Sequence, residues 1–492
     1  MNGRSGYPKT FRSDCPDNGN GIDMELNMTD LKQGTGRQSK TISRREFLGG
    51  ALAAAATISI VPRNVLGGPG FTAPSDRLNI ACIGVTGKGF SDILSVASEN
   101  VVALCDVDDL KMIEFCSRAE RRSEDAKAWL DRAKKYRDFR RMFDEMGETI
   151  DAVTVSTPDH THAVAALAAI RRKKHVFVQK PLTHTVAEAR LLAEEAEKYG
   201  VTTQMGNQGH ASEEARLINE WIWDGAIGAV REVLCWTNRP VWPQNIERPK
   251  ETPEVPSSLD WNLWLGPSPE RPYHPCYHPF SWRGWWDFGS GVVGDMGAHI
   301  MDHPYWALKL GAPKTVTATA TPFNTETYPV ASILTYQFPE REGMPPVKLS
   351  WYDGGLTPAR PEELEPGRRM GDDNGGVIFI GDRGKLMCSC YGANPRLIPE
   401  TAMQAYARPA RTIPRSNGIS AEWIEACKAG TKSTTDFGYS GPLTEAMLLG
   451  NIAIRMKQAN TVLEWDPAGM KFPNCPEADE FVRMPYRSGW EI

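Results

Sequence analysis

A chain of 492 residues, of which 41% are hydrophobic and 24% charged, is long enough for two domains of ordinary size. The net charge is −5 and the Lys and Arg residues are dispersed, which excludes the basic patch typical of nucleic-acid-binding proteins. Every apolar stretch is shorter than the about 20 residues that a transmembrane helix requires, so no stable membrane span is expected.

The first 68 residues predict a segment that precedes the folded domains. Residues 1–40 are polar, rich in Gly and Asn, and without apolar periodicity, which is typical of a disordered extension. Residues 41–48 contain paired arginines and a Phe-Leu pair, and an Ala- and Gly-rich apolar run follows them. This pattern resembles a twin-arginine signal peptide, assigned here to residues 41–68. The resemblance implies export of the folded protein to the periplasm by the twin-arginine machinery. The alternative is a chance Arg-Arg ahead of a buried helix.

Residues 76–203 alternate between apolar runs and amphipathic segments. Buried strands are predicted at 78–83, 101–106, 150–156 and 175–178, and helices at 90–98, 163–172 and 186–199. This alternation is typical of an α/β fold with a doubly wound parallel sheet, which is a Rossmann domain that binds a dinucleotide.

The turn after the first predicted strand carries the nucleotide signal. It contains the glycines that let a backbone approach a pyrophosphate, and a helix N-terminus with unpaired N–H groups follows it. Asp106 ends the second predicted strand, where a carboxylate would accept hydrogen bonds from the adenosine ribose and repel a 2′-phosphate, so NAD is favoured over NADP. Thr86 stands where the G-x-G-x-x-G pattern usually has its second glycine. The turn residues predicted to contact the cofactor are Gly84, Thr86, Gly87, Lys88 and Gly89.

Three later segments carry a family resemblance. They are 156–162 (Ser-Thr-Pro-Asp-His-Thr-His), 179–182 (Gln-Lys-Pro-Leu) and 294–302 (Gly-Asp-Met-Gly-Ala-His-Ile-Met-Asp). In this order they resemble the glucose–fructose oxidoreductase/inositol dehydrogenase family (Gfo/Idh/MocA), from about residue 77 to the C-terminus. The resemblance implies a C-terminal α+β domain at 204–470 with an open, mostly antiparallel sheet, followed by a tail at 471–492. It also implies a homo-oligomer formed through the open sheet.

Several segments of the second domain fit that expectation. Strands are predicted at 230–236, 314–320, 331–336 and 377–381, and helices at 421–429 and 442–459.

The resemblance assigns the chemistry to Lys180, Asp295 and His299. Lys180 would hold and polarise the reacting hydroxyl group. Asp295 and His299 are four residues apart and share one helical face, so we expect His299 to act as the general base and Asp295 to bind substrate and bias its titration. The alternative is a helix N-terminal Asp and a hydrogen-bonded, partly buried His.

Further cofactor contacts follow from the same resemblance, and one of them departs from the family. Gln179 replaces the more usual Glu and removes a charge near the nicotinamide ribose. His160 and His162 either line the nicotinamide side of the cleft or cap the strand end. The cofactor residues outside the turn are Thr157, Pro158, His162, Gln179 and Lys180.

A Trp- and Pro-rich insertion at 236–290 precedes the predicted catalytic helix. Its flat aromatic faces suit sugar rings and would wall a substrate pocket; the alternative is that the tryptophans pack a long insertion. Asn207 or Gln208, in a glycine-flanked turn, would reach the cofactor amide or the substrate, or would be structural. The predicted substrate contacts are Asn207, His278, Arg283, Trp286 and Asp302.

No metal site is predicted. His299, His303 and Asp295 have metal-ligand spacing and segment 274–278 adds donors, but a paired Cys or an H-E-x-x-H pattern is missing from the sequence. A twin-arginine substrate folds in a reducing compartment, so the ten cysteines are expected to be reduced and structural.

These features predict an exported NAD(H)-dependent oxidoreductase that acts on a secondary hydroxyl of a sugar, sugar derivative or cyclitol. Because the periplasm has no free NAD pool, the cofactor is expected to stay tightly bound. One alternative is an NAD-dependent glycoside hydrolase that works by transient oxidation and elimination. Another is a non-catalytic sugar-binding protein, which Thr86 and Gln179 favour and Lys180 and His299 oppose.

Overall fold

The computed structural model describes residues 76–122, 125–456 and 461–492, all of which belong to one structural unit. The predicted extension at 1–40 and the predicted signal at 41–68 lie outside the described residues. Within the described ranges, no helix is long and apolar enough to cross a membrane.

The N-terminal half contains a parallel sheet covered by helices. Its described strands run in the order β3-β2-β1-β4-β5-β6, and each neighbouring pair is parallel. This arrangement confirms the doubly wound fold. The strands are β1 (Asn79–Ile83), β2 (Asn100–Cys105), β3 (Lys134–Tyr136), β4 (Ala152–Val155), β5 (His175–Val178) and β6 (Thr203–Met205). The helices are α1 (Lys88–Val96), α2 (Asp109–Arg122), α3 (Ala126–Arg132), α4 (Phe139–Met146), α5 (His162–Ile170) and α6 (Val186–Tyr199).

Local sequence explains why these elements form. Strand β4 is buried along its whole length, as expected for a central parallel strand with helices on both faces. Helix α6 begins at a capping box between Thr185 and Glu188 and ends at Gly200, whose left-handed backbone suits glycine. The predicted domain boundary at 203/204 falls inside β6, which pairs with β5 in the first sheet.

The second sheet has the order β13-β12-β11-β7-β10-β9-β8-β14. Among the described strands, β7 and β10 are the sole parallel neighbours, so the sheet is mostly antiparallel, as expected. The strands are β7 (Val230–Thr237), β8 (Thr315–Ala320), β9 (Ser332–Phe338), β10 (Val347–Tyr352), β11 (Gly375–Gly381), β12 (Lys385–Ser389), β13 (Arg396–Ile398) and β14 (Leu463–Glu464). The helices of this half are α7 (Glu213–Trp223), α8 (Trp261–Leu265), α9 (Gly291–Ile300), α10 (Asp302–Ala307), α11 (Glu400–Ala405), α12 (Ile419–Ala429) and α13 (Phe437–Arg455).

Helix α13 joins the two halves by packing against α6, α9 and β8. It starts five residues before the predicted 442, because the side chain of Asp436 caps it by accepting a hydrogen bond from the Tyr439 amide. Pro442 therefore lies inside the helix, and the helix ends at Arg455 rather than at the predicted 459.

The insertion contains little regular structure and is held by aromatic packing. Trp261 stacks on Trp264 at 4.6 Å between ring centroids, and Tyr277, Trp285 and Phe288 complete a buried cluster. Most of its tryptophans therefore pack the insertion itself. Every described cysteine is free.

Candidate functional site

A cavity of about 590 Å³, which we call the main cavity, opens at the carboxyl ends of the parallel strands, next to α9 and the insertion. Ligands of wound sheets bind at this edge. Most of the predicted site residues line it: Gly84, Thr86, Gly87, Lys88, Asp106, Thr157, Pro158, Gln179, Lys180, His278, Arg283, Asp295 and His299.

The glycine turn is packed too tightly to accept side chains at two positions. A Cβ on Gly84 would lie 2.5 Å from the Ser156 carbonyl oxygen, and one on Gly89 would lie 2.2 Å from the Gly84 carbonyl oxygen. Gly84 also has a φ of +83°, which favours glycine. Gly89 packs under the turn and is not part of the cavity lining, so its predicted cofactor contact is corrected to a packing role. The turn leads into α1, whose first N–H groups are available to an anion.

Asp106 lies immediately after β2 at the nucleotide end of the main cavity. Its carboxylate accepts hydrogen bonds from the amides of Val85 at 3.0 Å and Asp108 at 3.1 Å. Burial raises the pKa of Asp106 to about 6, although these backbone donors oppose the rise. Each carboxylate oxygen keeps lone-pair capacity for a ribose hydroxyl group.

Lys180 and Asp295 form a partly buried ion pair across the two halves of the chain. The Lys180 Nζ donates to Asp295 Oδ1 at 2.8 Å and to its main-chain oxygen at 2.8 Å. Since an ammonium group has three donors, one N–H remains for a ligand in the main cavity. Arg283 adds a second cation, with its Nε 3.5 Å from the same Oδ1.

The cations determine the protonation state of Asp295. Burial alone would raise its pKa, but Lys180 and Arg283 together lower it to about 2. Asp295 is therefore a carboxylate at every pH at which an enzyme of this kind would work.

His299 lies one turn after Asp295 on α9, and its ring is in contact with Tyr391 at 4.7 Å between centroids. Burial, reinforced by the charge of Lys180, lowers the pKa of His299 to about 3, so the imidazole is neutral. Its Nδ1 is buried without a hydrogen-bond partner among the described residues. Nε2 is therefore the ring nitrogen available to the main cavity.

Asp92 is a charged residue of this site that the sequence analysis missed. It is 3% exposed on α1 and accepts hydrogen bonds from Gln179 Nε2 at 2.9 Å and Ser156 Oγ at 2.8 Å. It also forms an ion pair with Lys88, four residues earlier on the same helix. Asp92 therefore contacts two residues that line the main cavity, Gln179 and Lys88, without being part of the lining itself. The Lys88–Asp92 spacing was the signal that could have revealed it.

Asp159 is a second missed acid, although it lies within a recognised motif. It lines the main cavity, and its Oδ2 accepts a hydrogen bond from the Ser290 amide at 3.0 Å. Burial raises the pKa of Asp159 to about 7, against the influence of Lys180 and Arg283.

Two histidines of the strand-end motif do not reach the main cavity. His162 contacts the carbonyl oxygens of Pro181 at 2.8 Å and Thr157 at 2.9 Å, so both ring nitrogens are occupied. His160 is held in the same way by the carbonyl groups of Trp264 and Phe288. His162, predicted to contact the cofactor, thus lies outside the lining of the main cavity, and both histidines tie the strand end to its surroundings.

Three predicted substrate residues also lie elsewhere. Asp302 is buried in a contact with His210 at 3.0 Å and accepts a hydrogen bond from Tyr439 at 2.7 Å. Trp286 packs on Tyr328 beside a different cavity. Asn207 is fully buried and is not part of the lining of the main cavity. The next residue, Gln208, lines the cavity instead.

Of the remaining predicted contacts, His278 and Arg283 face the main cavity. His278 is within 3.2 Å of Asp108, and Arg283 lies over the rings of Trp282 and Phe280. Phe280 is 48% exposed and Tyr391 is 39% exposed, so two aromatic rings remain accessible at the opening. Among the described residues, no cluster of three or more His, Cys, Asp or Glu side chains could hold a metal ion.

Comparison with known proteins agrees with this geometry. A model of the oxidoreductase family, NAD-binding Rossmann fold, matches residues 78–207, and a model of the same family's C-terminal alpha/beta domain matches residues 230–338. The chain belongs to the Gfo/Idh/MocA oxidoreductase family. The first match lies in the Rossmann half of the structure, and the second covers the first part of the other half, from β7 to β9.

Two Gfo/Idh/MocA relatives show how far the similarity extends. Myo-inositol 2-dehydrogenase of Thermotoga maritima is 29% identical over 146 residues, which are 30% of this chain and 42% of that protein. The 1,5-anhydro-D-fructose reductase of Ensifer adhaerens is 40% identical over 159 residues, 31% of this chain and 36% of that protein. The chain therefore matches less than half of the length of either relative.

A solved structure matches over a longer range. The WlbA dehydrogenase of Bordetella pertussis, determined with NADH and UDP-GlcNAcA, has a TM-score of 0.51 at 14% identity. The match covers 79% of this chain and 99% of that one, and it shows a shared fold.

Proposed function

We propose that this protein is an NAD(H)-dependent oxidoreductase that acts on a secondary hydroxyl group of a sugar, sugar derivative or cyclitol. The observation that carries the proposal is the main cavity, which holds the glycine turn and Asp106 together with Lys180, Asp295 and a neutral His299. The activities named for the two sequence relatives, an inositol dehydrogenase and an anhydrofructose reductase, support the same substrate class.

The residues present fit a dinucleotide. Gly84 and Gly87 line the main cavity without side chains, so the turn presents bare backbone to the space that a pyrophosphate would occupy, and the close packing of Gly84 and Gly89 against neighbouring backbone fixes the shape of the turn. The Asp106 carboxylate would repel a 2′-phosphate, and we therefore propose NAD rather than NADP. When bound, the nicotinamide supplies the hydride acceptor or donor.

The side chains around the reacting hydroxyl group have distinct tasks. The free N–H of Lys180 donates to the hydroxyl oxygen, while Asp295 holds the ammonium group in place. His299 Nε2 accepts the hydroxyl proton during oxidation and returns it during reduction. The low pKa of His299 keeps the imidazole neutral before the reaction, so Nε2 has a lone pair that can accept the proton, although it also makes the ring a weak base.

Substitution of Lys180 and His299 tests these roles. We expect Lys180→Met and His299→Gln to lower kcat by about 10²–10⁴-fold, while the Kd for NAD changes by less than about threefold. Lys432→Met, which removes an exposed ion pair with Glu197, is the matched control and should leave both constants unchanged. Turnover of Lys180→Met at the wild-type rate, on any sugar that the wild type oxidises, would refute the assignment.

Export and tight cofactor binding form a second part of the proposal. The twin-arginine pattern at 41–48 supports both, because a cofactor bound before export would have to be retained in the periplasm. Protein purified from the periplasm should carry dinucleotide detectable by mass spectrometry. Protein that accumulates in the cytoplasm, or arrives without nucleotide, would contradict this part.

The second candidate function is an NAD-dependent glycoside hydrolase, and the environment of Asp159 favours it. Asp159, with a pKa of about 7, is a proton donor in the main cavity that simple dehydrogenation does not require but an elimination step would use. Release of phenol from an aryl glycoside without net NADH formation would select the hydrolase. Stoichiometric NADH would select the dehydrogenase.

A further inference from the structure

A second cavity of about 310 Å³ lies on the other side of the segment that carries Arg283. We call it the side cavity. It is bordered by the start of α6, by α13 and by the C-terminal segment, and its volume is within the lower range for small-molecule sites. Its lining includes His184, Trp286, Asn451 and Arg455.

Arg455 places a cation without a counter-ion in this cavity. Its guanidinium lies 4.4 Å from the ring centroid of Trp286 and 4.7 Å from that of Phe481. In the described chain its side chain forms neither an ion pair nor a hydrogen bond, and burial lowers its pKa. The aromatic contacts hold the guanidinium in place but use none of its N–H donors, which match a carboxylate in pairs.

Two further lining residues, Asn451 and His184, each carry a buried acceptor atom. Asn451 is 6% exposed; its Nδ2 donates to the Ser290 carbonyl at 2.8 Å, while its Oδ1 has no partner among the described residues. His184 Nε2 lies 3.1 Å from the Gly289 carbonyl, and the Nδ1 atom is buried and equally unpartnered in the described part of the chain. Burial lowers the pKa of His184 to about 4, so the ring is neutral and Nδ1 can accept.

The two acidic residues of the side cavity, Asp287 and Glu480, attract the Arg455 charge, but neither forms an ion pair with it in the described chain. Asp287 is already paired with Arg271, and Glu480 is exposed at the rim together with Arg483. An unpaired cation requires an anion, and unpaired buried acceptors require hydroxyl donors. A ligand with both groups would satisfy all three side chains.

We propose that the side cavity binds a small hydroxylated carboxylate of the sugar-acid type. Its carboxylate contacts Arg455, and its hydroxyl groups donate to Asn451 Oδ1 and His184 Nδ1. This site is separate from the main cavity and does not depend on the proposed redox function.

Calorimetric titration of the whole chain with D-gluconate tests the proposal, with D-glucose as the matched ligand that lacks a carboxylate. Arg455→Met should weaken gluconate binding at least about tenfold, and Arg231→Met, an exposed arginine on β7, should leave it unchanged. The Arg455-dependent binding should persist in Lys180→Met, which separates this site from the catalytic one. Thermal melting checks that each variant is folded.

The remaining outcomes contradict the proposal. Equal binding of gluconate by wild type and Arg455→Met would overturn the site. Inorganic phosphate binding through Arg455 without any gluconate binding would overturn the ligand class, and glucose binding that equals gluconate binding and is lost in Arg455→Met would overturn the need for a carboxylate.

Discussion

At the scale of single residues, Gln179 is held in place by Asp92 of α1. Gln179 Nε2 donates to Asp92 at 2.9 Å, and Ser156 and Lys88 contact the same carboxylate. A buried carboxylate therefore lies directly behind Gln179, although Asp92 itself is not part of the lining of the main cavity. Gln179 is thereby held by a buried hydrogen bond that a glutamate could not make.

We expect Gln179→Glu to lower stability by roughly 1–3 kcal/mol, because it removes a buried donor and places a second carboxylate against Asp92. Adding Asp92→Asn should restore most of the lost stability. In the double variant the amide at position 92 can donate to the carboxylate at position 179, which reverses the hydrogen bond of the wild type. A double-mutant cycle of melting temperatures and NAD affinities measures this coupling. Additive effects of the two substitutions would contradict the charge exchange.

Asp159 predicts a pH dependence of stability. Its pKa of about 7 is above the ordinary value of about 4, so the folded chain binds this proton more tightly than the unfolded chain. The stability that the proton provides is present at low pH and is lost as the pH rises through about 7. Relative to wild type, Asp159→Asn should therefore gain several degrees in melting temperature between about pH 5 and about pH 8, measured without cofactor. If the difference in melting temperature between Asp159→Asn and wild type were the same at both pH values, the raised pKa of Asp159 would be contradicted.

The motifs predicted most of the residues that line the main cavity. They did not predict which other side chains are buried beside those residues. Lys180, Asp295 and His299 meet because strand and helix ends converge on one sheet edge. Asp92 was missed because its burial depends on tertiary contacts that no local pattern shows. His162 and Asp302 lie outside the main cavity, because a polar side chain near an element end can be satisfied by neighbouring protein groups instead of by ligand.

At the scale of elements, the glycine turn and α1 act as one rigid unit. A Cβ at Gly89 would lie 2.2 Å from the Gly84 carbonyl oxygen, closer than two such atoms can approach. Gly89→Ala should therefore displace the turn and weaken NAD binding by at least about tenfold. Gly311→Ala, with open space around the added methyl group, is the matched control. Equal NAD affinities of the two variants, measured by calorimetry, would contradict the rigid turn.

The predicted strands agree with the observed ones where nearly every residue of the strand is buried. The largely apolar strands β4 and β5 were found from sequence, since central parallel strands are buried on both faces. Strand β10 was missed although Val347, Leu349 and Trp351 alternate with polar residues as in a half-buried strand, and β13 was missed because it has three residues at the sheet edge. The start of α13 was predicted too late because proline is typical of a first helical turn, whereas Pro442 lies further inside this helix.

At the scale of the whole molecule, a buried ion pair links the two halves. Arg190 on α6 donates to Glu445 on α13 at 2.8 and 2.9 Å, and Trp465 donates to the same carboxylate at 2.8 Å. The Glu445 side chain is 5% exposed, so solvent cannot replace a lost partner. This contact helps to hold α13 against the Rossmann half, and with it the adjacent helix α9.

Arg190→Met should destabilise the protein by about 2 kcal/mol, because Glu445 then remains buried with Trp465 as its remaining partner in the described chain. Chemical unfolding measures the loss. Lys198→Met, which removes a lysine that is 64% exposed, should cost less than about 0.5 kcal/mol. Equal losses in the two variants would show that the interdomain pair adds nothing beyond a surface contact.

The most direct test of the proposed chemistry is a crystal structure of the chain with NAD and a polyol in the main cavity. We predict the adenosine ribose against Asp106, the pyrophosphate against the turn at Gly84, and one polyol hydroxyl group within hydrogen-bond reach of both Lys180 Nζ and His299 Nε2. The nicotinamide C4 should face the carbon that carries this hydroxyl group. A nicotinamide directed away from Lys180, or a polyol that contacts neither side chain, would contradict the proposed redox chemistry.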